Sequence, residues 1–348
     1  MSFLHIQPLK NLKEMNLKGS SNLKALPNLS NATKMEILKL SDCKSLVEIP
    51  SSFSHLQRLE KLRLRGCISL EVIPADMNLE FLYDLDMRGC SRLRNIPVMS
   101  TRLYFLNISE TAVEDVSASI TSWHHVTHLS INSSAKLRGL THLPRPVEFL
   151  DLSYSGIERI PNCIKDRYLL KSLTISGCRR LTSLPELPAS LKFLVADDCE
   201  SLETVFCPFK TSKCWPFNIF EFTNCFKLDQ EARRAIIQRP FFHGTTLLPG
   251  REVPAEFDHR GRGNTLTIPL ERKRSYRGVG FCVVISPNHQ ITEKFHSGLL
   301  IKSRTKHLLI IHYHFERLDH QSPALSRELF FELRSVNDNF RLLNVVPD

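Results

Sequence analysis

The sequence has no uninterrupted run of about 18 apolar residues, the length that a membrane-spanning helix needs. Its first ten residues also lack the charged segment and long apolar stretch of a secretory signal. We therefore expect an intracellular protein, cytoplasmic or nuclear, without a membrane span. The ten cysteines are accordingly expected to be free thiols in a reducing compartment.

Motifs that carry common enzyme chemistry are missing as well. There is no GxxxxGK[ST] phosphate-binding loop and no G-x-S-x-G nucleophile elbow. Two sets of metal-ligand types occur: His312 and His314 share a face of one predicted strand, and four cysteines lie from Cys199 to Cys225. Neither set has the spacing typical of a metal site. We predict no enzyme activity and no cofactor.

The net charge of +10 is unevenly distributed. Residues 1–206 contain 25 Lys and Arg against 22 Asp and Glu, whereas residues 207–348 contain 21 against 14. A basic C-terminal part is compatible with an acidic partner or with nucleic acid. No RNA- or DNA-binding motif accompanies it, so a mildly basic soluble domain is the simpler interpretation.

A repeated pattern, L-x-x-L-x-L-x-x-(C/S/T)-x-x-L-x-x-(I/L)-P, is the strongest signal. Its copies start 21 to 24 residues apart, within the range of about 20–29 residues of leucine-rich repeats. Residues 1–206 are therefore predicted to form a leucine-rich-repeat solenoid of about nine repeats, an α/β fold with a parallel β-sheet on its concave face. The nine starts are Leu12, Met35, Leu59, Leu82, Leu103, Val126, Val147, Leu170 and Leu191.

The spacing within one repeat explains how the solenoid is built. Leu62 and Leu64 are two residues apart, so on a short strand both point into the interior. The small residue at the ninth position, usually cysteine, is expected to be buried in a tight inward turn. The repeats at Leu103 and Val147 are one residue shorter at this turn, which indicates a local irregularity.

Strand residues that alternate with the buried leucines are predicted to line the concave surface with which repeat proteins bind. A basic stripe along the N-terminal half of the repeats consists of Lys39, Lys61, Arg63, Arg65 and Arg88. Phe105 and Phe149 place aromatic rings on strand positions that would otherwise be solvated. Aromatic residues and arginine are enriched in protein interfaces. The candidate partner-binding residues are Lys39, Lys61, Arg63, Arg65, Asp84, Asp86, Arg88, Phe105, Asn107, His128, Phe149, Asp151 and Tyr154.

The repeat pattern fails after Val205, and a different organisation follows. Residues 207–239 are predicted to form a connector with one helix over 228–239, which Asp229 can cap and Pro240 stops. Residues 240–348 contain six short apolar runs, which predict an all-β sandwich. The predicted strands cover 266–270, 280–285, 297–301, 308–315, 329–333 and 342–346.

The repeats resemble those of plant intracellular immune receptors of the TIR, nucleotide-binding, leucine-rich-repeat class. The segments 222–229, 248–260 and 263–268 are, in that order, similar to the jelly-roll/Ig-like domain (C-JID) that follows the repeats in those receptors. Glu256 stands where the family commonly has Trp or Tyr, and the TIR and nucleotide-binding domains have no counterpart. The motif residues are Asn224, Cys225, Phe226, Pro249, Gly250, Pro254, Phe257 and His259.

The resemblance implies a non-enzymatic recognition module of plant innate immunity. Its partner would be a pathogen effector or a host immune protein, bound by the concave face together with the β domain. Three alternatives stay open at this point: a host-protein scaffold or regulator without a sensing role, a nucleic-acid contact through the basic C-terminal domain, and a metal enzyme built on the β domain.

Overall fold

The structure is a computed structural model, and it has two compact units, Met1–Leu191 and Lys192–Asp348. It describes residues 9–75, 77–116, 120, 122–206, 218–237, 243–252, 254–255, 257, 261–262, 265–269, 276–285, 308–314, 328–332, 341–342 and 344–347.

The first unit is a stack of three-residue strands, one for each repeat. Neighbouring strands pair in parallel without a shift in register, so equivalent positions of successive repeats stand side by side. The predicted parallel-sheet solenoid is confirmed. The strands are β1 (Glu14–Asn16), β2 (Ile37–Lys39), β3 (Lys61–Arg63), β4 (Asp84–Asp86), β5 (Phe105–Asn107), β6 (His128–Ser130), β7 (Phe149–Asp151) and β8 (Ser172–Thr174).

The core of this unit follows from the alternation of side chains along each strand. The middle residue of every strand from β2 to β8 is buried, and the residues on either side of it face outward. Leu62 and Leu64 are both fully buried, as the repeat spacing predicted. Short 3-10 helices, Leu9–Asn11, Ser51–His55 and Asn162–Asp166, and the short strand β9 (Ser183–Leu184) complete the unit.

The cysteines at the ninth position form a thiol ladder through the interior. The Sγ atoms of Cys43, Cys67 and Cys90 donate to the carbonyl oxygens of Leu17, Leu40 and Leu64 at 3.2, 3.1 and 3.3 Å. Each bond therefore joins one repeat to the repeat before it. Burial raises the pKa of Cys67 to about 12, so this thiol stays protonated and unreactive near neutral pH.

The second unit begins with two parallel strands, β10 (Phe193–Val195) and β12 (Asn218–Glu221), with β11 (Thr204–Val205) between them in sequence. Leu194 pairs with Phe220, Phe222 is buried, and the Cys225 thiol donates to the carbonyl of Ala196 at 2.9 Å. Phe220, Phe222 and Cys225 thus have the features of one further repeat after the one at Leu191, and they lie inside the segment 207–239 that was assigned to the connector. The predicted boundaries of the three domains stay a prediction.

One helix, α1, follows this further repeat over Gln230–Ile237. Asp229 caps it, because its Oδ1 accepts a hydrogen bond from the Ala232 amide at 2.7 Å. The predicted helix extends further in both directions, and its last two residues lie outside the part of the chain that is described.

The remaining strands are paired mainly antiparallel. β13 continues the parallel pairing from β12 and is antiparallel to β17; β17 pairs with β16, and β16 with β20. Two separate pairs join β14 to β19 and β15 to β18. These strands are β13 (His243–Pro249), β14 (Gly261–Arg262), β15 (Thr265–Pro269), β16 (Tyr276–Ile285), β17 (Leu308–His314), β18 (Glu328–Glu332), β19 (Arg341–Leu342) and β20 (Asn344–Pro347).

Strands thus occur at five of the six predicted positions, while the sixth, 297–301, lies outside the described residues. The strands β13 and β14 were not predicted, and the sandwich arrangement stays a prediction. Within the residues that the structure describes, no helix has both the length and the apolar character needed to cross a membrane.

Candidate functional site

Two rows of outward side chains flank the buried leucines on the strand face of the first unit. Ten of the thirteen predicted partner-binding residues lie in these rows, and Arg65, Arg88 and Tyr154 lie just beyond the strands. We call these two rows together the sheet face. The first row is Glu14, Ile37, Lys61, Asp84, Phe105, His128, Phe149 and Ser172, and the second is Asn16, Lys39, Arg63, Asp86, Asn107, Ser130, Asp151 and Thr174.

Most cations of the predicted basic stripe are paired with carboxylates of adjacent repeats. Arg63 donates to both carboxylate oxygens of Asp84, with Nη1 2.6 Å from Oδ1. This hydrogen bonding raises the pKa of Arg63, and the pair is half-buried. Lys39 is 2.6 Å from a carboxylate oxygen of Glu14. The stripe therefore offers less free positive charge than its composition indicates.

Arg88 is paired in the same way further along the face. Its Nε and Nη2 donate to Oε1 of Glu110 at 2.8 and 2.6 Å. Within the described residues, Lys61 and Arg65 form no ion pair, and the Lys61 ammonium lies 5.7 Å from the centre of the Tyr83 ring. Lys61 and Arg65 are therefore the cations of this stripe that remain open to a partner.

Carboxylate and amide side chains of the second row support turns of the solenoid. The Oδ1 atoms of Asp86, Asn107 and Asp151 accept hydrogen bonds from the backbone amides two residues later, at 3.0 to 3.1 Å. Asp151 also accepts a bond from Asn132 Nδ2 at 2.7 Å. Asp86, Asn107 and Asp151 thus stabilise the turns that follow their strands.

An aromatic cluster occupies the centre of the sheet face. The His128 ring stacks on Phe149 with centroids 4.4 Å apart, and lies 5.2 Å from Tyr104 and 6.4 Å from Phe105. Phe149 is 38% exposed. Burial lowers the pKa of His128, so its ring is neutral at pH 7 and adds to the apolar surface. Phe105, His128 and Phe149 are predicted partner-binding residues, whereas Tyr104 was missed because it precedes β5.

Tyr154 lies at the turn after β7 and not in the rows. Its backbone has a φ of 56°, in the left-handed region that a tyrosine rarely adopts. Its ring packs against Gly177, where an added Cβ would lie 2.4 Å from Tyr154 Cδ1. The ring is nevertheless well exposed at the surface.

The motif residues of the second unit have mainly structural surroundings. Asn224 has a φ of 65°, and its Nδ2 donates to Asp198 Oδ1 at 2.7 Å. Pro249 ends β13 and its carbonyl accepts a hydrogen bond from Arg233, and Gly250 follows it. Cys225 and Phe257 are buried, and the Phe257 amide donates a hydrogen bond to the Pro254 carbonyl at 3.1 Å. Phe226 is exposed. His259 lies outside the described residues.

A pair of half-buried carboxyl groups, Asp197 and Glu221, was missed because the repeat register was lost after Val205. Asp197 Oδ1 accepts a hydrogen bond from the Thr223 amide at 2.8 Å. Burial raises the pKa of both groups, and the neighbouring Asp197 contributes to raising that of Glu221 to about 7. Both carboxyl groups therefore hold their protons more tightly than exposed carboxyl groups do.

The Glu221→Gln variant should change how stability depends on pH. The pKa of Glu221 is higher in the folded chain than its ordinary value of 4.5, so the folded state holds the proton more tightly. Stability is then greatest below that ordinary pKa and falls as pH rises towards about 7. Glutamine cannot ionise. Urea unfolding should show a flatter pH profile and a more stable variant at about pH 8; an unchanged profile would contradict the assignment.

The stacked parallel strands, the buried leucine rows and the thiol ladder together define a leucine-rich-repeat protein. No protein-family model matches the chain. It is 50% identical to disease resistance protein RML1B of Arabidopsis thaliana over 97% of its own length, and 44% identical to disease resistance protein RML1A over 86%. The chain is thus a leucine-rich-repeat relative of plant disease resistance proteins, and the predicted resemblance of its repeats to those of this class is confirmed.

The matches cover 34% of RML1B and 29% of RML1A, so the chain spans about a third of the length of these curated relatives. Among solved structures, the functional domain of InlJ from Listeria monocytogenes is 14% identical, with a TM-score of 0.36, over 89% of this chain and 76% of that one.

Proposed function

We propose that this chain is a non-enzymatic recognition module of plant innate immunity. Its sheet face binds a pathogen effector or a host immune protein, and the strands of the second unit contribute to the same recognition. The observation that carries the proposal is the aromatic cluster, in which Phe105, His128 and Phe149 lie on the outward side of the strands and Tyr104 lies just before β5. Aromatic groups held on a rigid scaffold are the groups that dominate protein–protein binding energies.

The charge pattern around the cluster supports a protein partner over a nucleic acid. A phosphate backbone is bound by unpaired lysine and arginine side chains. Arg63 and Arg88 are instead held by Asp84 and Glu110. Such a face presents fixed, alternating charges around an apolar centre, the arrangement by which protein interfaces combine affinity with specificity.

The relatives support the biological setting. RML1B and RML1A are disease resistance proteins, and the match to RML1B covers 97% of this chain, so it includes residues of both units. The stacked strands of a repeat protein present an extended surface for binding. Binding a partner needs only such a surface and no catalytic group, so recognition is a role that the repeats can perform by themselves. Within the described residues, no group of three or more His, Cys, Asp or Glu side chains is placed to hold a metal ion.

The test begins with crosslinking of the chain in infected and uninfected plant tissue, followed by purification of the partner. The double change Phe105→Ala and Phe149→Ala should then weaken binding by more than about 2 kcal/mol, because it removes two rings from the cluster. Tyr168→Ala is the matched control, since Tyr168 is 75% exposed and lies outside both rows. Calorimetric titration measures each affinity, and equal losses in the control and the double variant would refute the proposal.

A further inference from the structure

A groove of about 590 Å³ lies beside the sheet face, at the N-terminal ends of strands β3 to β6. These positions precede the strands, so they are not among the predicted partner-binding residues. We call it the edge groove, and it is lined by Glu60, Phe81, Tyr83, Arg102, Tyr104 and His125.

The backbone holds the groove in a fixed geometry. The Tyr83 amide donates to the Glu60 carbonyl at 3.1 Å, the Tyr104 amide to the Tyr83 carbonyl at 2.8 Å, and the Thr127 amide to the Tyr104 carbonyl at 3.0 Å. Each bond joins one repeat to the next, so the rings are spaced by the same ladder that spaces the strands. A partner would not have to order this part of the surface on binding, which lowers the entropic cost.

Three rings of the groove are open to solvent. Phe81, Tyr83 and Tyr104 are 47%, 36% and 48% exposed. Large apolar groups that lie exposed together commonly mark an interaction site. Tyr104 also contacts His128, so the groove is continuous with the aromatic cluster of the sheet face.

Cations cover two of these rings. The Arg102 guanidinium lies 5.5 Å from the centre of the Phe81 ring, and the Lys61 ammonium 5.7 Å from that of Tyr83. Arg102 is 3.7 Å from Glu80, but both side chains are more than half exposed, so this pair is weak. Glu60 also lines the groove, so acidic and basic side chains are mixed there. A carboxylate of a ligand can pair with Arg102 or with Lys61 beside the rings that these cations cover.

We infer that the edge groove binds an extended segment of the protein partner, in which an aromatic or aliphatic side chain is flanked by Asp or Glu. The inference rests on the proposed function and names the chemistry of the partner. A groove of this size holds a few side chains, not a folded domain. The apolar side chain lies against Tyr83 and Tyr104, and the carboxylates lie against Arg102 and Lys61.

The probe is a fluorescein-labelled peptide of twelve residues, with two phenylalanines each flanked by aspartates in a Gly-Ser background. Two matched peptides replace the aspartates with lysine or the phenylalanines with serine. Fluorescence polarisation on the full chain should give a Kd for the first peptide at least tenfold below those of the other two. The double change Phe81→Ala and Tyr83→Ala should raise that Kd at least tenfold, and Arg102→Glu should raise it as well.

Controls separate this inference from the proposed function. Tyr168→Ala should leave peptide binding unchanged, and thermal melting should show that the groove variants stay folded. If the lysine peptide binds as tightly as the aspartate peptide, or if both Arg102→Glu and the double groove variant leave the Kd unchanged, the inference is wrong. In that case the proposed function would still be supported if the Phe105→Ala and Phe149→Ala double variant no longer bound the natural partner.

Discussion

Replacing Leu64 with aspartate should lower the free energy of unfolding by about 3–5 kcal/mol. Leu64 is fully buried, and its backbone amide donates to the Asp86 carbonyl at 2.7 Å. The substitution removes the leucine contacts and places a carboxylate without a partner in the interior between two repeats. Because a folded domain is stable by only about 5–15 kcal/mol, much of the solenoid should unfold.

Chemical denaturation followed by circular dichroism measures this effect. Leu64→Met keeps an apolar side chain of similar volume and should cost less than about 1.5 kcal/mol. Arg65→Asp introduces the same carboxylate at the next position, which is exposed, and should change stability little. If Leu64→Asp and Arg65→Asp had the same unfolding midpoint, the assignment of inward and outward positions would be wrong.

Gly156→Ala should destabilise the first unit by about 1–3 kcal/mol, although it adds a single methyl group. A Cβ at Gly156 would lie 2.3 Å from the carbonyl oxygen of Ala135 and 3.0 Å from that of Leu137. Both are backbone atoms of the preceding repeat, so neither can rotate away. The two repeats would have to separate where the Gly156 amide donates to the Ser134 carbonyl.

The matched control for this prediction is Gly139→Ala. A Cβ there would meet nothing within 4 Å, and the backbone is not in the left-handed region. Thermal melting of the two variants against the unmodified chain gives the comparison. If the Gly156→Ala and Gly139→Ala variants had the same melting temperature, the close approach of these two repeats would not be required for stability. Gly156 lies in the repeat at Val147, which is one of the two repeats that are one residue shorter at this turn. The shorter turn passes so close to the preceding repeat that only glycine fits there.

The strand positions could be predicted from sequence because one face of every repeat must be buried. If the assignment of inward positions were shifted by one residue from Leu62, leucines would be exposed to water along the whole stack. The pattern therefore permits a single register. The row that places Arg63, Asp86 and Asn107 side by side follows from this and is observed.

Side-chain pairing on the face could not be predicted in the same way. Whether Arg63 bonds Asp84 or remains free depends on which rotamers reach across to the next repeat, and residue spacing does not contain that information. The edge groove was missed for a related reason. Phe81 and Tyr83 lie 19 to 23 residues from Arg102 and Tyr104 in sequence, and only the stacking of successive repeats brings them together.

The further repeat of the second unit was missed because it departs from the pattern in spacing and in residue type. Leu194 and Phe220 are 26 residues apart, against 21 to 24 for the recognised repeats. Its inward positions hold Phe220 and Phe222 in place of leucines. The Cys225 that ends it was assigned to a family motif, yet its thiol bond is the same as that of Cys67.

Hydroxyl-radical footprinting of the chain with and without its protein partner tests the central claim most directly, because it reports on side chains one by one. Phe149 and Tyr104 should be oxidised in the free chain and protected in the complex, since both are exposed on or beside the sheet face. Tyr168, exposed and outside the rows, should be oxidised equally in both states. Protection of Tyr168 with continued oxidation of Phe149 and Tyr104 would contradict the account.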